Sequence, residues 1–146
     1  MTVVDRKCRT GVFTRELVAR FPKAKIVAVE VNEVFATHLA EKFPTVAVVP
    51  GCATQLDAHL AARGLSKADV AGVVSGLPLL SLPGDLPRRV LASIAGVLPA
   101  GRRYVQFTYS ERAWRRFDVS GFTRVPYRRV WRNIPPAVVM PFVRAE

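Results

Sequence analysis

Ile26-Val27-Ala28-Val29-Glu30-Val31 is the stretch on which the fold turns. Four apolar residues, three of them β-branched, run into a single acidic side chain, so 25–30 is predicted to be a strand closed by Glu30. Similar β-branched runs predict strands at 2–5, 45–50, 70–75 and 103–109. Helical periodicity fills the intervals: 11–21 brings Val12, Phe13, Leu17 and Phe21 near one face, and 33–43 does the same with Val34, Phe35, Leu39 and Phe43. Segments 53–63 and 86–98 continue the alternation. Such β-α-β order implies an α/β protein with a mostly parallel sheet and helices on both faces. Beyond Tyr109 the helical signal shrinks to a turn at 112–117, and 122–131 and 137–144 read as antiparallel strands that make the sheet mixed.

With 146 residues, half of them apolar, and no internal repeat or linker, the chain is expected to fold as one domain over 1–146. Cys8 and Cys52 allow at most one disulfide, and reduced thiols in the cytoplasm are the simpler expectation. No apolar run approaches the roughly 20 residues that span a bilayer, and Met1 to Asp5 is too short and too soon charged for a signal peptide. His38 and His59 lack cysteines or carboxylates at ligand spacing, so no metal site is expected. The formal net charge of +11, gathered at Arg88-Arg89, Arg102-Arg103, 112–116 and 124–132, calls for an anionic partner. A membrane surface and RNA both satisfy that requirement, and charge does not choose between them. A solvated arginine-rich face is the plainer alternative.

Ligands of open sheets bind beyond the carboxyl ends of the strands. Glu30 falls about 20 residues after the first strand-to-helix turn, where an acidic side chain accepts the ribose hydroxyls of a nucleotide-like cofactor. Its structural alternative is a strand-end side chain that caps the helix from Asn32 onward. Ser75-Gly76-Leu77-Pro78 follows the fourth strand. A polar residue before Leu-Pro can present carbonyls to an amine while the proline stiffens the loop.

Together with Gly101-Arg102-Arg103-Tyr104-Val105-Gln106-Phe107-Thr108-Tyr109 and Val130-Trp131-Arg132-Asn133-Ile134-Pro135-Pro136-Ala137, this loop resembles the bacterial phospholipid N-methyltransferases, relatives of the ribosomal-RNA adenine dimethylases. The resemblance runs from about Val3 to Arg144. It implies a seven-stranded Rossmann-like class I methyltransferase fold, S-adenosylmethionine (SAM) as methyl donor and phosphatidylethanolamine-type phospholipid as acceptor. By position it places Asp5, Thr10 and Gly11 at the methionine end of SAM, Glu30 and Val31 at the ribose, and Cys52 and Ala53 at the adenine edge. Ser75, Gly76, Leu77 and Pro78, with Tyr109, fall at the acceptor. Lys7 and Arg9 stand where the family carries glycines, which predicts weakened SAM binding. Cys52 stands where an aspartate is usual. Family members open with an amphipathic segment, whereas this chain is expected to begin at its first strand. The expected enzyme is a monomer lying peripherally on the inner face of the membrane. The alternatives are an RNA adenine methyltransferase and a decayed, non-catalytic basic module.

Overall fold

In the computed structural model, which describes residues 2–4, 11–131 and 137–146, β2 (Val27–Glu30) is buried along its whole length. It lies between β3 (Ala47–Pro50) and β1 (Thr2–Val4), and β4 (Gly72–Ser75) and β5 (Arg103–Thr108) complete the parallel part of the sheet. Adjacent residues of the parallel strands serve opposite faces. Ile26 and Ala28 join Leu17, Leu39 and Val46 on one side, beneath α1 (Val12–Arg20) and α2 (Glu33–Lys42). Val27 and Val29 join a larger cluster on the other side with Leu56, Leu77, Ile94, Tyr104, Trp114 and Phe142. Helices α3 (Leu56–Ala61), α4 (Leu86–Val97) and α5 (Glu111–Arg116) supply that side. The predicted two-faced α/β architecture is therefore observed.

Two elements differ from the sequence expectation. The helix expected over 53–63 begins as a 3-10 turn, Ala53–Gln55, before α3, because the Leu56 N–H bonds to Ser93 Oγ of α4 at 3.1 Å. The strand expected over 122–131 is two strands, β6 (Phe122–Arg124) and β7 (Arg128–Val130). Both pair with β8 (Ala137–Arg144), which is itself antiparallel to β5, so the sheet has eight strands rather than seven, in the order β3-β2-β1-β4-β5-β8-β6 with β7 also on β8.

The interruption has a definite geometry. Arg124 pairs with Phe142 and the Val125 N–H reaches Pro141 O, whereas Arg128 pairs with Val139. Pro126 and Tyr127 thus share the single β8 position Met140, which is a β-bulge at a residue with no N–H to give the ladder. One extra residue exchanges the two faces of the strand beyond it. Tyr127 and Arg129 consequently turn to the same side as Phe122 and Arg124, toward α5.

Candidate cofactor and acceptor site

The strand order reverses between β1 and β4, where Val4 pairs with Ser75. A crevice opens at the carboxyl ends of strands that diverge in this way. Residues 5–10, which include Asp5, Thr10 and the unusual Arg6, Lys7, Cys8 and Arg9, lie outside the described residues. Gly11 follows them as the cap of α1 with φ +63, and a Cβ there would stand 2.6 Å from Phe43 Cε2. Glycine is required twice over at this position, by conformation and by space.

Glu30 is buried at the end of β2, and its Oε1 accepts the Asn32 N–H at 2.8 Å. Asn32 in turn caps α2 by accepting the Phe35 N–H at 3.1 Å. The helix cap foreseen for Glu30 is thus Asn32 itself, and Glu30 supports it by accepting its N–H, which also fixes the carboxylate. Val31 is exposed directly beyond it. The Gly51 N–H donates to Glu30 O at 3.0 Å, bringing the end of β3 beside Glu30. Cys52 Sγ accepts from Thr54 Oγ at 3.2 Å, and Ala53 is buried at the start of the 3-10 turn. Cys8 lies outside the described residues, and with it the expectation that Cys8 and Cys52 stay reduced.

His59, which sequence reading set aside, supports this turn. Its Nε2 lies 3.1 Å from Cys52 O, and its ring fills the space that a Cβ at Gly51 would need, 2.5 Å from Cε1. His38 is exposed on α2, and among the described residues no group of three potential metal ligands occurs.

The loop after β4 is held from beneath by a buried polar network. Ser75 Oγ accepts the Leu77 N–H at 3.2 Å, while Gln106 Nε2 donates to Leu77 O at 2.8 Å and Phe107 O at 2.7 Å. The Tyr104 hydroxyl donates to Gln106 Oε1. Burial pushes that phenol well above its ordinary value, and a hydrogen bond with Ser75 opposes the shift. Both peptide groups of Leu77 are therefore fixed, and Leu77 O also accepts the Leu79 N–H at 2.8 Å. Pro78 O accepts from Ser81 N at 2.8 Å. Gln106 was noted in sequence only as part of a strand end; nothing in its neighbours announces a polar residue buried to 0 % exposure. Gly76 and Pro78 are half-buried. Tyr109 is exposed past β5, its ring edge-on to Phe107 at 5.1 Å.

A second polar cluster lies past β5. Glu111 is largely buried and accepts from the Tyr127 hydroxyl, Arg129 and Arg115. The Tyr127 hydroxyl bond is the leading cause that holds its carboxyl down at about 2, against desolvation and with help from the two guanidiniums. A depressed folded value stabilises the fold above the ordinary carboxylate range, and that contribution disappears as pH falls from about 4.5 toward 2. Acid titration of melting temperature should therefore be flatter over that interval in Glu111→Gln than in the parent. Parallel curves would contradict this assignment. Arg124 donates to Trp114 O at 2.8 Å and Phe117 O at 2.6 Å, so several arginines read as surface charge also fasten α5.

Sheet order, helices on both faces and a carboxylate closing β2 are the features of a Rossmann-like class I SAM-dependent methyltransferase. Solved structures agree on the fold. TrmN from Thermus thermophilus superimposes with TM-score 0.73 and 17% identity over 99% of this chain and 44% of its own. NodS, an N-methyltransferase from Bradyrhizobium japonicum solved with S-adenosyl-L-homocysteine, gives 0.72 and 14% over 99% of this chain and 78% of its own. No protein-family model matches the chain. An ornithine lipid N-methyltransferase from Singulisphaera acidiphila is 33% identical over 139 residues, covering 92% of this chain and 71% of that enzyme. The chain belongs to this enzyme's family, the SAM-dependent N-methyltransferases, and SAM is its methyl donor.

Among the described residues, Glu30 fits that donor in chemical type. A fixed, buried carboxylate at the end of β2 suits a vicinal diol, and the neighbouring turn at Cys52 and Ala53 stands at the next strand end.

Proposed function

We propose that this enzyme methylates the amine of a membrane aminolipid, with phosphatidylethanolamine-type phospholipids and ornithine lipids as the acceptor classes. The observation that carries the reading is the loop from Ser75 to Pro78. It is fixed through both peptide groups of Leu77 at the point where strand order reverses, in a chain one-third identical to a lipid N-methyltransferase. SAM supplies an already activated methyl group, so the protein's work is to orient an uncharged amine and exclude water. Glu30 and Val31 would hold the ribose, Cys52 and Ala53 the adenine edge, and Asp5, Thr10 and Gly11 the methionine end. With Leu77 O and Pro78 O engaged inside the loop, the carbonyls of Ser75 and Gly76 are the ones assigned to the acceptor N–H groups, and Tyr109 walls the entrance. SAM would supply the methyl group and leave as its demethylated product, and the methylated amine would give up one proton to solvent. No side chain is assigned as a general base.

The enzyme would work as a peripheral protein on the cytoplasmic face of a membrane. Among the described residues no helix is long and apolar enough to cross one. The test is transfer of labelled methyl from SAM to vesicles carrying phosphatidylethanolamine or ornithine lipid, with structured RNA offered in parallel. Label in either lipid supports the reading; label in RNA adenine alone replaces it, and no SAM binding by calorimetry identifies a decayed module. Binding to anionic vesicles should weaken steeply with salt, since exposed charges are screened within about 10 Å at 0.1 M. Salt-insensitive binding would refute the electrostatic part.

A further inference from the structure

The large apolar side chains left exposed are not scattered. Val12, Val31, Val34, Tyr109, Val130 and Trp131 are exposed, and Phe21 is the other such residue among those described. Topology places the six at one end of the molecule. Val31 follows β2, Tyr109 follows β5, and Val12 and Val34 open the helices that leave β1 and β2. β7 runs parallel to β5, because each is antiparallel to β8, and Val130 pairs with Ala137 as Thr108 pairs with Val138. Val130 and Trp131 therefore stand at the same edge as Tyr109. Phe21, at the far end of α1, stands at the opposite edge.

This apolar collar surrounds the carboxyl ends of the strands, which is where the proposed cofactor and acceptor residues lie. From β2 to the outer strand it spans five strand spacings, about 24 Å at ~4.8 Å each. Its most exposed members are Trp131 at 70%, Val34 at 61% and Tyr109 at 59%. Isolated apolar residues on a surface need no explanation, but six gathered on one edge do.

The charge beside the collar selects the occupant. Between Tyr109 and Trp131 the chain carries six arginines against Glu111 and Asp118, and Glu111 is already neutralised by Arg115 and Arg129. Arg129 also lies over the Trp131 ring at 5.7 Å, so an indole and a guanidinium are presented together. Acids occur at this edge too, Glu33 beside Val34 among them, so the positive bias belongs to the half of the edge that carries Tyr109 and Trp131. Amphipathic aromatic and aliphatic side chains flanked by arginine match the boundary between anionic headgroups and acyl chains.

We propose that the carboxyl edge of the sheet is the membrane-docking face: Trp131, Val130 and Tyr109 on one side and Val34 and Val12 on the other enter the interface of an anionic bilayer, with Val31 between them at the ribose. This rests on the aminolipid reading above. The site would open directly onto the lipid surface, so that a headgroup amine reaches the loop from Ser75 to Pro78 without the lipid leaving the bilayer.

The chain contains two tryptophans, Trp114 buried and Trp131 exposed, which makes fluorescence a direct probe. The full-length protein is mixed with vesicles of equal parts phosphatidylglycerol and phosphatidylcholine, the latter carrying bromine in its acyl chains. Bromine should quench an emission component that Trp131→Phe removes. The double variant Trp131→Ser with Val34→Ser should partition into the vesicles at least tenfold more weakly, while Phe21→Ser, on the opposite edge, should partition like the parent. Absence of Trp131 quenching, or equal partitioning of the double variant, would overturn the proposal. A concentration-dependent dimer that the double variant abolishes, without quenching by vesicles, would overturn it in favour of a second copy. Partitioning and quenching are read without turnover. Docking through the collar with no lipid methylated would therefore count against the acceptor reading alone, and lipid methylation without quenching would count against the docking face alone.

Discussion

Gln106→Leu is expected to lower the melting temperature by about 10 °C and kcat for methyl transfer by about tenfold to a hundredfold. Three polar groups lose a bond at once: Leu77 O, Phe107 O and the Tyr104 hydroxyl. Leu77 O keeps its bond from Leu79 N and the Tyr104 hydroxyl keeps its bond with Ser75, so the cost falls chiefly on Phe107 O, with a smaller share on the other two. An unsatisfied buried polar group costs about 1–3 kcal/mol, and a total of about 3 kcal/mol corresponds to roughly 10 °C in a domain of this size. The kinetic loss has another origin. Freed from Gln106, the Leu77 peptide shifts, and small misplacement of a reacting amine is expensive. Gln106→Glu separates the two effects, because it keeps the acceptor for Tyr104 while removing both N–H donors. Differential scanning calorimetry and steady-state kinetics on both variants read the outcome. An unchanged kcat in Gln106→Leu would mean that the loop is held by other contacts.

Glu30→Ala is expected to weaken SAM binding by about 1.5–3 kcal/mol, roughly ten- to 150-fold in Kd, the range for hydrogen bonds to a charged group. It should also cost about 1 kcal/mol of stability, because the Asn32 N–H loses its acceptor at the entry to α2. Glu30→Gln retains an oxygen for Asn32 and should recover the stability but not the full affinity. Isothermal titration with SAM, paired with thermal melts, distinguishes the two duties. If Glu30→Ala melts lower yet binds SAM like the parent, the carboxylate is only a turn acceptor.

How far the sequence could be read follows from which interactions are local. The alternation of β-branched runs with helical periodicity located the five parallel strands and the main helices, since burial on both faces leaves a continuous apolar signature. Ser75, Gly76, Leu77 and Pro78 were found as a loop because proline and glycine punctuate the chain visibly. The supports of that loop were not. Gln106 touches Leu77 across 29 residues, and Glu111 meets Arg129 across 18, so neither partnership leaves a pattern in either segment. The split of 122–131 was hidden for a related reason. Pro126 lies inside a stretch read as one strand, and its effect depends on the register of β8, which is fixed far along the chain. Arginine was misread in part: Arg124 was counted among the charges that call for an anionic partner, whereas it spends donors on the end of α5, and Arg144 likewise reaches Ala95 O of α4 at 3.1 Å.

The extra residue at Pro126 and Tyr127 is best judged by what its removal would change. Arg124 lies opposite Phe142 and Arg129 opposite Val138, so both take the face of β8 that looks toward α5. Removal of one residue between Val125 and Arg128 would leave a regular ladder with the same two pairings, and Arg129 would still meet Glu111. What the strand would lose is the local bend and twist of the bulge, together with the hydroxyl that Glu111 accepts if Tyr127 were the residue removed. The surplus residue is therefore one that the pairing tolerates and the Glu111 cluster uses.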